Sequence, residues 1–175
     1  MDRDAALAGF SEVDWASLAR AGALAPGHVE ALRSGEAAPL DYVLADATAA
    51  RAFCGALVAV VAGVADVAAA RYALTRAEDV LLADASGPLA DRVALFCGAA
   101  GFDGAPFLSA LRGSGDAYCV GRAASVLATL LTARAEAPVE PFVRWLCERL
   151  VAGGADARAA APALTIVLRA DRARA

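Results

Sequence analysis

Pro106-Phe107-Leu108-Ser109-Ala110-Leu111 and Pro141-Phe142-Val143-Arg144-Trp145-Leu146 are two copies of one pattern, Pro-Phe-(Leu/Val)-x-x-Leu, set about 35 residues apart. A second echo follows each copy: Ala123-Ala124-x-x-Leu127-x-x-x-Leu131 is answered by Ala160-Ala161-x-x-Leu164-x-x-x-Leu168. Each copy therefore reads as a short helix followed by a longer one. A single helix pair cannot bury its apolar stripe alone, so neighbouring pairs are expected to stack.

Repetition at this period is typical of armadillo- and HEAT-type arrays. The expected fold is all-α, a right-handed superhelix of stacked helix pairs. Residues 39–175 would form the array, and residues 1–38 would form short helices packed on it. Extended surfaces of that kind bind partners and seldom do chemistry.

Composition agrees with a helical array. Alanine, the best helix former, supplies 50 of the 175 residues. All 16 basic residues are arginine, and Lys, Asn and Gln are absent, a skew that resembles genome base composition. The net charge of −4 is spread over interspersed Arg and Asp/Glu. No basic stripe with interleaved aromatics occurs, so nucleic acid is not an expected partner. The N-terminus, Met1-Asp2-Arg3-Asp4, has no secretory h-region. Ala52 to Ala65 is uncharged but shorter than the roughly 20 residues that span a bilayer, and it reads as a buried helix.

Chemistry-bearing residues are sparse. Cys54, Cys97, Cys119 and Cys147 form no C-x-x-C pair, and each is expected as a buried free thiol. His28 is the only histidine, so no metal site is expected. Gly113-Ser114-Gly115 follows a helix and has no lysine beside it, which leaves an ordinary turn in place of a phosphate loop. No cofactor and no catalytic residue are expected.

Along the chain, Ser11 is expected to cap a short helix that carries Val13, Trp15 and Leu18. His28 to Arg33 forms another, ended by Ser34-Gly35, and a long helix should run from Pro39 to Gly63. Asp66 should cap a helix reaching Asp84, with Val67, Ala70, Leu74, Ala77, Val80 and Leu81 as its buried stripe. Arg71, Thr75, Arg76, Glu78 and Asp79 fall on its other side, which meets solvent or a partner. Ser86-Gly87-Pro88 should turn the chain into a short helix ending near Cys97, and Gly98 to Gly104 should form a loop. A helix from Asp116 to Arg134 follows the first Pro-Phe helix. In the second Pro-Phe helix, Phe142, Val143, Leu146, Cys147 and Leu150 form the stripe and Arg144 pairs with Glu148. A last helix should run to Ala170, and the lack of a polar capping repeat suggests either a continuation beyond Ala175 or a surface covered by something else. Trp15 is expected to staple its helix to the array or to anchor a partner. Trp145 is expected in the core at the edge of the Phe142 stripe, with a partner-facing role as the alternative.

Several strings resemble the N-terminal domain of the H subunit of the vacuolar proton-pumping ATPase (V-ATPase). Val13-Asp14-Trp15, followed by Gly22-Ala23-Leu24 and His28-Val29-Glu30-Ala31-Leu32-Arg33, is similar to its Trp-containing and leucine-rich opening helices. Asp66 to Leu74, continuing through Glu78-Asp79-Val80-Leu81-Leu82, and then Arg92-Val93-Ala94-Leu95-Phe96, resemble its next segments. Both Pro-Phe copies have counterparts, Phe142-Val143-Arg144-Trp145-Leu146-Cys147 among them. The likeness runs from about residue 13 to 170, and the family's C-terminal domain is missing. The resemblance implies a non-catalytic component of the pump's peripheral sector, docked on the peripheral stalk at the cytosolic face of acidic compartments and touching the membrane only through the pump. The partners would be the other V-ATPase subunits. The candidate contact residues are Trp15 and the face formed by Arg71, Arg76, Glu78 and Asp79. A generic armadillo/HEAT adaptor with a groove for a peptide or helix is the first alternative, and a small helical enzyme with a pocket of convergent carboxylates is the second.

Overall fold

A computed structural model describes residues 2–83, 87–97, 104–134 and 139–174. These are helices and short connections, with no strand among them, as an all-α fold requires. The chain divides into two compact units, Met1–Pro106 and Phe107–Ala175. The first holds α1 (Arg3–Ala8), a 3-10 turn (Gly9–Glu12), α2 (Trp15–Arg20), α3 (Pro26–Ala37), α4 (Leu40–Ala45), α5 (Ala47–Gly63), α6 (Val67–Leu82) and α7 (Leu89–Ala94). Next comes α8 (Ala105–Gly113), whose first two residues belong to the first unit. The second unit continues with α9 (Ala117–Thr132), α10 (Glu140–Ala152) and α11 (Gly154–Arg174). Ser86 of the expected turn, and residues 98–103 of the expected loop, lie outside the described residues, as do Asp84 and Ala175.

Aspartate sets many of the helix starts. Asp2, Asp14, Asp46, Asp66 and Asp116 each accept a backbone N–H two or three residues on, at 2.8–2.9 Å. A carboxylate there satisfies donors that have no partner inside the helix, and it meets the positive end of the helix dipole. The N–H groups of Ala49 and Thr48 hold the Asp46 carboxyl below the usual carboxylate range.

Three boundaries differ from the sequence expectation. Ser11 lies within the 3-10 turn and donates to the Ala8 carbonyl at 3.0 Å, while Asp14 does the capping. The long helix expected from Pro39 to Gly63 is interrupted at Asp46, whose extended backbone (φ −98°, ψ 110°) lets its side chain start α5 afresh. Ser34-Gly35 does not end α3. Gly35 sits under the Phe53 ring, where a Cβ would fall 2.4 Å from two ring carbons, so glycine is what the contact requires. The helix stops instead at Ala38, which is extended (φ −119°, ψ 153°) because the next residue, Pro39, disfavours helical backbone before it.

In the first unit α6 is central: α1, the 3-10 turn, α5 and α7 all pack on it. It therefore buries more than one stripe, and Tyr72, Ala73, Leu74 and Thr75 are all buried. Thr75, expected on the outer side, donates its hydroxyl to the Arg71 carbonyl at 2.7 Å. Val67, expected at the head of the buried stripe, is 47% exposed. Phe53, Leu57 and Val60 of α5 and Leu32 of α3 complete this core. Each fully buried side chain of this size contributes about 1.5–3 kcal/mol relative to exposure.

In the second unit α11 lies along α9 and against α10. The Pro-Phe repeat is structural as well as sequential: Phe107 and Leu111 are buried, and so are Phe142 and Leu146. The echo in the longer helices is only partial. Ala123, Ala124, Leu127 and Leu131 are buried, whereas Ala161 and Leu168 of the second copy are exposed. Gly121 lets Ala159 approach, with the Ala159 Cβ 3.7 Å from where a Cβ on Gly121 would stand. Arg144 pairs with Glu140 at 3.2 Å, one turn before it, and not with Glu148. Cys54 and Cys119 are buried as expected, Cys97 is half-buried, and Cys147 is exposed. α11 continues past Ala170 to Arg174 and accommodates Pro162. Among the described residues, no helix is long and apolar enough to cross a membrane.

Candidate functional site

The residues singled out in the sequence are engaged within the chain. Trp15 is 4% exposed, and its indole N–H donates to the Phe10 carbonyl at 2.9 Å. Its ring lies 5.2 Å from Phe10 and 6.0 Å, edge-on, from Tyr72 of α6. Trp15 thus fastens the 3-10 turn and α2 onto α6.

The charged face of α6 is turned inward. Tyr72 donates its hydroxyl to Glu36 Oε2 at 3.0 Å, and Arg76 Nη2 donates to the same oxygen at 2.8 Å. Arg76 also approaches Asp79 at 3.9 Å, and the Arg76 and Asp79 side chains are each only 12% exposed. Arg3 of α1 grips Asp79 with two parallel hydrogen bonds of 2.9 Å, the fork geometry suited to carboxylates. Arg71 and Glu78 are half-buried, and each has interactions of its own. This network joins α3, α6 and α1.

The electrostatics hold the network in one protonation state. Burial disfavours the Tyr72 phenolate, and the Glu36 carboxylate beside it adds to the effect, so the phenol is pushed well above its usual range. Burial works against the Arg76 guanidinium, but its hydrogen bonds to Tyr72 and Glu36 outweigh that and raise it. A neutral phenol and a permanent cation tie helices together; they do not exchange protons near neutral pH. Cys54 is likewise inert, its thiol pushed up to about 12 by burial. His28 is half-buried with Nδ1 unpaired, and no group of three His, Cys, Asp or Glu among the described residues is placed to hold a metal ion.

Two surfaces stand out, one of them not anticipated in the sequence. A groove of about 630 Å³ lies among α3, α4 and α5 of the first unit. One wall carries Gly27, Ala31 and Gly35, and the other Ala45, Ala49 and Ala52. The charged residues lining it, Glu30 and Asp46, are both acidic, and Tyr42 stands at its edge, 76% exposed. The spacing of small residues along α3 was a readable signal, but the groove also needs the break at Asp46, which separates α4 from α5.

The other surface is the outer side of α10. Trp145, expected in the core, is half-buried, and its ring stacks almost parallel to Phe142 (9°, 6.2 Å). The Arg149 guanidinium lies 5.4 Å from the centre of the Trp145 ring. Elsewhere around the same helix Cys147 is exposed, and Val151 is 89% exposed. A half-exposed indole held between a phenyl ring and a guanidinium is the kind of group that dominates protein interfaces. No protein-family model, curated protein or solved structure matches the chain.

Proposed function

We propose that the chain is a non-catalytic docking scaffold, an armadillo/HEAT-like array whose helix pairs stack as a right-handed superhelix and whose outer side chains hold protein partners. The observation that carries this reading is the equivalence of the two Pro-Phe helices. Phe107 and Leu111 on α8 are buried as Phe142 and Leu146 are on α10, and a longer helix follows each. Repetition of a packing unit makes surface, and surface is what a scaffold offers.

The docking surface in this reading is the outer side of α10, with Trp145 as its anchor. It takes the place of Trp15, Arg76 and Asp79, whose contacts lie inside the chain. The resemblance to the V-ATPase H subunit supplies the first partner to test, the peripheral stalk of the pump on the cytosolic face of an acidic compartment. Affinity purification of the tagged chain from cells that contain the pump, with identification of the retained proteins, tests both levels. Recovery of peripheral-stalk proteins, lost with Trp145→Ala, supports the full reading. Other proteins retained through Trp145 would leave the scaffold and remove the pump. Retention of nothing would overturn the scaffold.

A further inference from the structure

We propose that the groove among α3, α4 and α5 receives α11 of a second copy, so that the protein associates head to tail. This goes beyond the docking reading above, which uses α10.

The two surfaces match in texture, charge and length. α11 buries Ala159, Ala160, Ala163 and Val167 on one side. On the opposite side Arg158, Ala161, Pro162, Thr165, Leu168 and Arg169 are exposed, a strip of small side chains interrupted by Leu168, with an arginine at each end. The groove walls are glycine and alanine, which let a helix with small side chains come close. The charges in the groove are Glu30 and Asp46, and no salt bridge engages either among the described residues. The same holds for Arg158 and Arg169. Two carboxylates without cations and two guanidiniums without anions are thus carried on complementary surfaces. Asp46 is a dependable anion because the backbone N–H groups of Ala49 and Thr48 keep it ionised. Lengths agree too. The wall follows α3 from Gly27 to the end of that helix and finishes at the extended Ala38, roughly 15 Å or three turns of helix, close to the roughly 16 Å from Arg158 to Arg169 on α11.

A contact between two different surfaces is heterologous. It leaves one groove and one α11 free at the ends of any open assembly, so growth continues until a ring closes. An acidic groove facing an identical acidic groove would repel, which disfavours the two-fold alternative.

Sedimentation velocity across a concentration series tests this. The wild type is expected to form species larger than a dimer as concentration rises, and added salt should dissociate them, since exposed charge pairs are screened. Ala49→Trp fills the groove at an exposed position and leaves α11 intact. Arg158→Glu with Arg169→Glu spoils α11 and leaves the groove intact. Each variant alone should be monomeric, with association weakened at least about tenfold. Mixed one to one, they should form a dimer and nothing larger, because only one sound groove and one sound α11 remain to meet. Circular dichroism melts of both variants check that they fold. A monomeric wild type at every concentration, or association that survives both variants, overturns the proposal. So does a mixture that stays monomeric while each variant keeps the wild-type melt. The α10 reading stands apart from these outcomes, since Trp145 is untouched in every protein used.

Discussion

Gly35→Ala should destabilise the first unit even though it places the better helix former inside a helix. Gly35 is an interior residue of α3 with no positive φ, so intrinsic propensity alone favours alanine by about 1 kcal/mol. The added Cβ would stand 2.4 Å from both Cδ2 and Cε2 of Phe53. Phe53 is almost fully buried, so its ring cannot swing into solvent without giving up its packing. Overpacking of that kind costs about 1–3 kcal/mol. The net effect should be a loss of up to about 2 kcal/mol, or a few degrees in Tm for a chain of this size. Replacing Trp145 with Phe leaves Trp15 as the sole indole, which reports on the first unit during urea unfolding. In the Gly35→Ala background, Phe53→Leu should recover part of the loss by removing the ring edge that clashes. A gain of about 1 kcal/mol for Gly35→Ala alone would refute the close approach of α3 and α5 through this pair.

Asp66→Ala removes the carboxylate that accepts the Ala69 N–H at 2.8 Å and should cost about 0.5–2 kcal/mol in urea unfolding, while Asp66→Ser recovers most of it. Tyr72 holds its proton more tightly when folded than when unfolded, so the unfolded state loses that proton first as pH rises. The Tyr72 contribution should therefore be complete below about pH 10 and fall above it, and Tyr72→Phe should flatten that part of the alkaline decline in melts run against pH. Cys54 follows the same sign, its ordinary value of 9.0 being raised to about 12, so its share is lost from about pH 9 upward. With a thiol reagent in native buffer, Cys147 should react first and Cys54 and Cys119 only on unfolding, and Cys147→Ala should abolish the fastest phase.

Local chemistry was the part most open to reading. Asp66 and Asp116 precede apolar runs and cap the helices expected of them. Phe107, Leu111, Phe142 and Leu146 follow from the spacing of the repeat, because helical period alone puts each pair on one side. The misreadings share a cause in tertiary packing. A one-stripe reading of α6 presumes a helix at the edge of a core, and α6 is enclosed by several neighbours, so Thr75 is buried although it lies off the stripe. The charges at Arg76 and Asp79 looked solvent-facing because their partners are distant in sequence, Glu36 by 40 residues and Arg3 by 76. Gly35 read as a helix stop because nothing nearby discloses that Phe53 requires the space. The groove was hidden for a similar reason: its small residues are visible in the sequence, but its concavity depends on the break that Asp46 makes in an alanine-rich run.

The most direct measurement of the scaffold claim is the affinity of the purified chain for the partner recovered with it, compared between wild type and Trp145→Ala by calorimetry. Trp145 is half-buried and supported by Phe142, so the fold should survive the substitution. A loss of about 2 kcal/mol, or about thirtyfold in Kd, with an unchanged melt is expected of an interface anchor. Equal affinity in the two proteins would contradict docking through α10.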